Sequence, residues 1–258
     1  MRLLLIAVFA FAALHGQQTG VVAISHRGEH LRHPENTMPA YRAALEAGAD
    51  FIETDVRTTS DGKLVIMHDA TVDRCTNGHG EVAAMTFDEI RKLDAGVKFG
   101  AAFQGTSVPT FEEVLEFARG KIGVYIDSKR ISAVDLVAAV RKFGMEDQVV
   151  VYGNMDLHHG VQKLEPRIKV MPEAGSAETA AKFIEELRPR VIAFDARDFK
   201  DEIIAVALQA KAGIYVDRLG PADTPESWED AIGRGATGIQ SDRPAELVQF
   251  LRTKKLHR

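Results

Sequence analysis

Apolar and polar positions fall into short blocks along this chain, and their period switches regularly between two and about three and a half. Val21, Val22, Ala23 and Ile24 form an apolar run that reads as a buried strand and delivers His26 and Arg27 to its C-terminal end. Thr37 can cap a helix with Pro39 in its first turn, Tyr41, Ala44 and Leu45 on its apolar face, and Gly48 at its end. Residues 51–58 alternate as a strand, with Phe51, Glu53 and Asp55 on one face and Ile52, Thr54 and Val56 on the other. Asp61-Gly62 predicts a two-residue type I′ turn, and residues 64–67 the antiparallel return. Pairing Ser60 with Lys63 across that turn sets His68 opposite Asp55, with Glu53 next along the same face.

Residues 70–109 interrupt the pattern and hold one short helix with a capping box, Thr86-x-x-Glu89. An insertion of this length inside a compact domain is usually functional. A second capping box, Thr110-x-x-Glu113, opens a helix through Phe117, and from there the alternation is regular. Strands are predicted at 122–127, 149–152, 169–172, 191–195, 214–217 and 238–241. Helices are predicted at 134–143, 155–164, 178–187, 202–212, 228–234 and 246–251. With the strands that start at 21 and 51 the total is eight; residues 64–67 are left out because a two-residue turn allows only antiparallel return. This predicts an α/β fold, a (β/α)8 TIM barrel with a hairpin extension of strand 2 and a small insertion, its site at the C-terminal strand ends. A doubly wound open sheet is the alternative. It would usually place a glycine-rich phosphate turn after the first strand, which Gly28 alone does not supply.

Composition narrows the class. A chain of 258 residues, 45% hydrophobic and 27% charged, can bury one sizeable core, and barrels reach this length as a single domain. A net charge of −5 offers no basic patch for nucleic acid. The single cysteine, Cys75, excludes an internal disulfide framework and a thiolate zinc site. Met1-Arg2, the apolar residues 3–14 and Gly16-Gln17-Gln18 read as a secretory signal, too short for a stable membrane anchor. Residues 1–18 are therefore set apart from a single catalytic domain at 19–258, and a secreted or periplasmic protein without stable membrane insertion is expected.

The chemistry collects at strand ends. Glu53 and Asp55 sit two apart on one face, where they repel, and a hard cation such as Mg²⁺ or Ca²⁺ would stabilise them. A solvated strand edge carrying two acids is the competing reading, and Phe51, Ile52 and Val56 argue against it. For Glu173, Asp195 and Asp217 three roles stay open: orienting histidines, binding a polar head group, or pairing with Arg197 and Arg218. His30, His33, His79, His158 and His159 lack an ordered context and read as surface or loop residues.

His26-Arg27-Gly28, Glu35-Asn36-Thr37, Glu53-x-Asp55, Asp61-Gly62 and His68-Asp69 together resemble the glycerophosphodiester phosphodiesterase family. The resemblance continues through Leu93-Asp94-Ala95-Gly96, Val108-Pro109-Thr110, Ile126-Asp127-Ser128-Lys129 and Ser241-Asp242-Arg243-Pro244. It implies a metal-dependent phosphodiesterase of lipid metabolism that hydrolyses glycerophosphodiesters to an alcohol and glycerol phosphate. It further implies His26 and His68 as a general acid and base, in an order left open, and Glu53, Asp55 and Asp127 as ligands of a divalent ion, Ca²⁺ or Mg²⁺. Arg27 and Lys129 would hold phosphate oxygens. Glu35, as ligand or support, would stand behind them with Asn36, which fixes the loop, and Asp69. Whether a glycerol hydroxyl or water attacks is open.

Two departures from the family pattern matter. The family usually carries Glu where this chain has Asp127, one methylene shorter, so the ion shifts, a water intervenes or ligation weakens. It often carries Trp and Asn on the strand where Tyr215 and Asp217 stand here, so the pocket for the alcohol differs. The insertion covers the active-site mouth in the family. The rival readings are a phospholipase D-like enzyme on lysolipids or sphingolipids, favoured by an exposed rim at Val97, Phe99 and Phe103, and a non-catalytic phosphodiester-binding barrel.

Overall fold

A computed structural model describes residues 20–257, and the expected signal segment lies outside the described residues. β1 (Val22–Ser25), β2 (Phe51–Thr58), β4 (Gly123–Arg130) and β5 (Val149–Tyr152) lie in the order β5-β4-β2-β1, all parallel. β6 (Lys169–Met171) extends this sheet beyond β5, while β9 (Gly238–Ser241), β8 (Gly213–Arg218) and β7 (Val191–Phe194) extend it beyond β1. A parallel bridge between Glu173 and Ala193 joins β6 to β7 and closes the ring. The fold is the expected TIM barrel, and β3 (Leu64–Ile66) pairs antiparallel with β2 outside it.

Strand periodicity divides the side chains between two cores. Outward residues of β2, β4 and β5, among them Ile52, Val56, Ile126 and Val151, pack beneath α1 (Met38–Ala47), α3 (Phe111–Ala118), α4 (Ala133–Phe143) and α5 (Met155–Leu164). On the other side Phe194, Val216 and Ile239 meet α6 (Ala177–Leu187), α7 (Asp201–Gln209), α8 (Pro225–Gly233) and α9 (Pro244–Thr253). Each such fully buried side chain contributes about 1.5–3 kcal/mol. Inward residues Val22, Ile24, Tyr125, Val150, Met171 and Ala193 plug the barrel. The next inward position on most strands is polar, so the plug is also the floor of the site.

Helix starts follow their caps. Ser132, Asn154 and Ser176 each accept a backbone N–H at the start of α4, α5 and α6. α8 begins earlier than expected because Thr224 caps it and Pro225 occupies the first turn. Both expected capping boxes form, at Thr86 before the short α2 (Phe87–Ile90) and at Thr110 before α3. Val72, Val82, Ile90 and Val108 give residues 70–109 a small core of their own against Val65 and Met67.

The hairpin corrects the expected register. Thr58 pairs with Leu64, Arg57 with Val65 and Val56 with Ile66. The Thr59 N–H donates to the Lys63 carbonyl at 2.9 Å and the Gly62 N–H to the Thr59 carbonyl at 3.1 Å. The loop is thus three residues, Ser60-Asp61-Gly62, a turn followed by a left-handed glycine with φ 82°. A type I′ turn would force Asp61 to positive φ; instead its carboxylate accepts the Thr59 hydroxyl and the Phe87 N–H. The register moves by one, so Asp55 faces Met67 rather than His68, and the Met67 N–H donates to the Asp55 carbonyl at 2.9 Å.

Candidate active site

His26 follows β1 directly and continues the inward face of Val22 and Ile24. Its Nδ1 lies 2.7 Å from Asp242 Oδ1. Asp242, just past β9, accepts the Gly220 N–H at 2.8 Å and donates its own N–H to Asp223 at 2.7 Å. Buried Asp223 in turn accepts the Trp228 indole N–H at 2.7 Å and the Ser241 hydroxyl. The imidazole is therefore anchored through two carboxylates, Asp242 and Asp223, to Trp228 in the first turns of α8. Burial lowers the His26 pKa, against the raising pull of Asp242 and with help from Arg27.

His68 has a parallel support. Its Nδ1 lies 2.7 Å from Asp69 Oδ1, and Arg57 donates to its carbonyl at 2.6 Å. Arg74, from the insertion, binds both Asp69 and Glu35, donating to Glu35 at 2.7 and 2.8 Å. Arg74 holds the Asp69 carboxyl well below the usual range and, despite burial, brings Glu35 to about 2.

Glu53 and Asp55 point inward from β2, and Asp127 sits in register with Asp55 on neighbouring β4. Glu53 and Asp55 are 2% and 1% exposed, and ligand atoms from all three acids lie within 4.8 Å of one another. Burial and then the neighbouring carboxylates push Glu53 well above its ordinary value; burial and Asp55 raise Asp127 as well. The Arg27 N–H donates to Glu53 at 2.7 Å and the Asn36 amide to Asp55 Oδ2 at 2.6 Å, each residue held at positive φ. Gly28 permits this tight loop: at φ 77°, a Cβ there would lie 2.8 Å from the Ala40 backbone.

Asp55 Oδ1 is buried without a hydrogen-bond partner. Lys129 Nζ stands 3.3 Å away and donates to Asp127 at 2.7 Å. A buried carboxylate oxygen with no hydrogen bond, in a cluster where one ammonium is shared between two of three acids and all the ligand atoms are oxygen, is the environment that suits a hard divalent cation.

His26, Arg27, Glu53, Asp55, His68, Asp127 and Lys129 all line one cavity of about 230 Å³ at the C-terminal mouth of the barrel. Asn36 and Asp69 stand behind it, as expected. Of the two readings left open for Glu35, ligand or support, the geometry favours support: it does not join the acid cluster, and Arg27 and Arg74 engage its carboxylate. Of the histidines read as surface or loop residues, His158 needs correction, while His30 does lie in a loop but stands beside the site. His30 packs edge-on against His26, with ring centroids 5.3 Å apart, and its Nδ1 lies 2.7 Å from the His26 carbonyl. His158 is fully buried on the inner face of α5 beside Leu157 and Val161, and burial lowers it to about 4. Asp195 pairs with Arg197, one of the open options, whereas Arg218 turns to the Asp217 carbonyl and to Asp230 at 3.8 Å.

The supports that sequence reasoning missed are Asp242 and Arg74; Gln240, which lines the cavity, was missed as well. Asp242 had a signal: it is inward-facing by parity just past the last strand, which in a closed barrel lies beside the first. Arg74 had none, because its place depends on the path of the insertion.

Residues 26–246 match the Glycerophosphoryl diester phosphodiesterase family. The chain belongs to this family. A glycerophosphodiester phosphodiesterase of Caldanaerobacter subterraneus subsp. tengcongensis is 35% identical over 246 residues, covering 90% of this chain and 98% of that protein. A crystal structure of a glycerophosphodiester phosphodiesterase from Agrobacterium tumefaciens superposes with a TM-score of 0.79 at 33% identity, covering 87% of this chain and 97% of that one. An Oleispira antarctica phosphodiesterase, solved in complex with the product sn-glycerol-3-phosphate, shares the fold with a TM-score of 0.80 at 21% identity, covering 90% and 97%. The enzyme is thus a phosphoric diester hydrolase that acts on glycerophosphodiesters.

Proposed function

We propose that the enzyme hydrolyses glycerophosphodiesters to glycerol phosphate and an alcohol by metal-dependent acid–base catalysis between His26 and His68. The observation that carries this reading is that two carboxylate-backed imidazoles and a three-acid cluster line the same cavity. Glu53, Asp55 and Asp127 would hold the ion, which when bound stabilises charge on the phosphoryl oxygens. Arg27 and Lys129 hold non-bridging oxygens of the diester.

His26, kept neutral by burial, takes the base role: its Nε2 accepts the proton of the attacking hydroxyl as the new O–P bond forms. His68 Nε2 donates a proton to the alcohol oxygen as its bond to phosphorus breaks. Asp242 and Asp69 fix the tautomers that leave those nitrogens facing the substrate. The attacking hydroxyl belongs to the glycerol arm, giving a cyclic phosphate, or to water. The Oleispira antarctica complex supports glycerol phosphate as the product. Residues 3–14 support export, to the periplasm or outside the cell.

Replacing His26 or His68 by Ala is expected to lower glycerophosphocholine hydrolysis by about 10²–10⁴-fold with the circular dichroism spectrum unchanged. Chelation should abolish activity, and adding back Mg²⁺ or Ca²⁺ should restore it. Full turnover in either variant defeats the assignment. A lysolipid-cleaving reading draws on Val97 and Phe99, 39% and 43% exposed, and on Leu31, 55% exposed, whereas Phe103, the third residue of the expected rim, is half-buried against Phe99 and His33. Release of a lysolipid head group faster than any glycerophosphodiester is cleaved would favour it.

A further inference from the structure

The cavity has a second wall. Around the ring β8 stands across from β4, and β7 across from β2, so Asp217 faces Asp127 over the mouth. Glu173 follows β6 on the same wall, and its carboxylate takes the Tyr152 hydroxyl. Gln240, on β9, is paired in register with Asp217, so the two side chains stand next to each other on the inward face.

Gln240 is only 6% exposed, and its Oε1 has no hydrogen-bond partner although the side chain lines the cavity. Among the described residues Asp217 forms no ion pair, and Arg218 is turned away toward Asp230. Burial, then Glu173 and Asp195, push the Asp217 carboxyl up to about 7. This wall therefore holds one buried acceptor without a hydrogen bond, on Gln240, and one carboxyl without an ion pair, on Asp217. The acids that converge within 4.8 Å are Glu53, Asp55 and Asp127, and Glu173, Asp195 and Asp217 do not form such a group among the described residues. As a set these three lack the convergence that a bare metal ion needs.

We propose that Glu173, Asp217 and Gln240 bind the alcohol arm of the diester and select one that ends in a primary ammonium. The assignment rests on the hydrolase reading above and names its substrate class. A phosphate held at the Glu53, Asp55 and Asp127 side projects one arm across the mouth to this wall. A primary ammonium supplies both what the carboxylates lack, a positive charge, and what Gln240 Oε1 lacks, an N–H donor. A quaternary ammonium has no N–H and leaves the amide oxygen unmet. A neutral polyol donates but leaves the charge uncompensated, and an anionic arm is repelled.

The test compares kcat/KM for glycerophosphoethanolamine, glycerophosphocholine, glycerophosphoglycerol and glycerophosphoinositol in the wild type, Asp217→Asn and Gln240→Leu. The same diesters are titrated calorimetrically into His68→Ala in the presence of Mg²⁺. Expected is a preference for the ethanolamine ester of at least about 10-fold over the glycerol ester, in turnover and in affinity, that collapses toward parity in Asp217→Asn. Gln240→Leu should reduce the ethanolamine-to-choline ratio and serves as the second variant if Asp217→Asn does not fold. Equal use of the choline and ethanolamine esters, or an equal loss on all four substrates in Asp217→Asn, overturns the assignment. If the wild type cleaves none of the four, the hydrolase reading fails, and the titration still decides what this wall recognises.

Discussion

Asp242 shows how a single carboxylate sets both the position and the charge of a neighbour. It lies 2.7 Å from His26 Nδ1 and works against the burial that lowers the imidazole pKa. Replacing it with Asn keeps the volume but removes the acceptor pair and the charge. Because Asp242 raises the His26 pKa, its loss lowers that pKa further, so the acid limb of the pH–rate profile is expected to move to lower pH. The accompanying fall in kcat should be roughly 10–100-fold, the usual cost of losing such a support, with KM little changed. An unmoved acid limb would show that His26 does not titrate in catalysis. The catalytic candidates themselves were legible in sequence, since inward parity and strand-end position select His26, Glu53, Asp55, Asp127 and Lys129. Their supports were less so: Glu35 could be read as ligand or support, and only the approach of Arg74 from 39 residues away favours the second.

The hairpin carries the lesson at the scale of elements. Both strands were readable from alternation, and the error lay in the loop, where Asp-Gly fits a two-residue and a three-residue turn equally well by composition. Thr59 and Phe87 decide between them by binding the Asp61 carboxylate, and the second lies 26 residues on, beyond any local pattern. His68 still reaches the cavity, because Arg57 and Asp69 orient it after the strand has ended. Gly62 is the one conformational requirement of the loop: φ is 82° and open space surrounds its missing side chain. Gly62→Ala should therefore cost backbone strain alone, about 1–2 kcal/mol. Gly62→Asn should recover part of that. Urea unfolding of the two variants measures the difference, and equal stability of Ala, Asn and wild type would mean that the loop relaxes to another turn.

For the whole molecule, the barrel places acids from strands far apart in sequence around one small cavity, and the fold bears their repulsion when no ion is bound. Glu53 and Asp127 are both held above their ordinary carboxyl values, chiefly by burial. A carboxyl whose folded pKa exceeds its unfolded one supports the fold fully below the unfolded value and loses that contribution as pH rises toward the folded value. The metal-free enzyme is therefore expected to lose stability from about pH 4 upward on account of this pair. A divalent cation binds the ionised form, so the gain from metal should be small near pH 5 and grow toward neutrality. His26 shifts the other way, costing stability as pH falls below its unfolded pKa, and Asp217 titrates on the opposite wall. Both contribute with and without the ion, so they largely cancel in the difference. At an ion concentration about 100 times the dissociation constant the gain approaches 2.7 kcal/mol, or roughly 5–10 °C in Tm for a chain of this size. Thermal unfolding with Mg²⁺ or Ca²⁺ and with a chelator, at pH 5 and pH 7.5, measures it. A shift equal at the two pH values, or one that persists in Glu53→Gln, would place the ion away from these three acids.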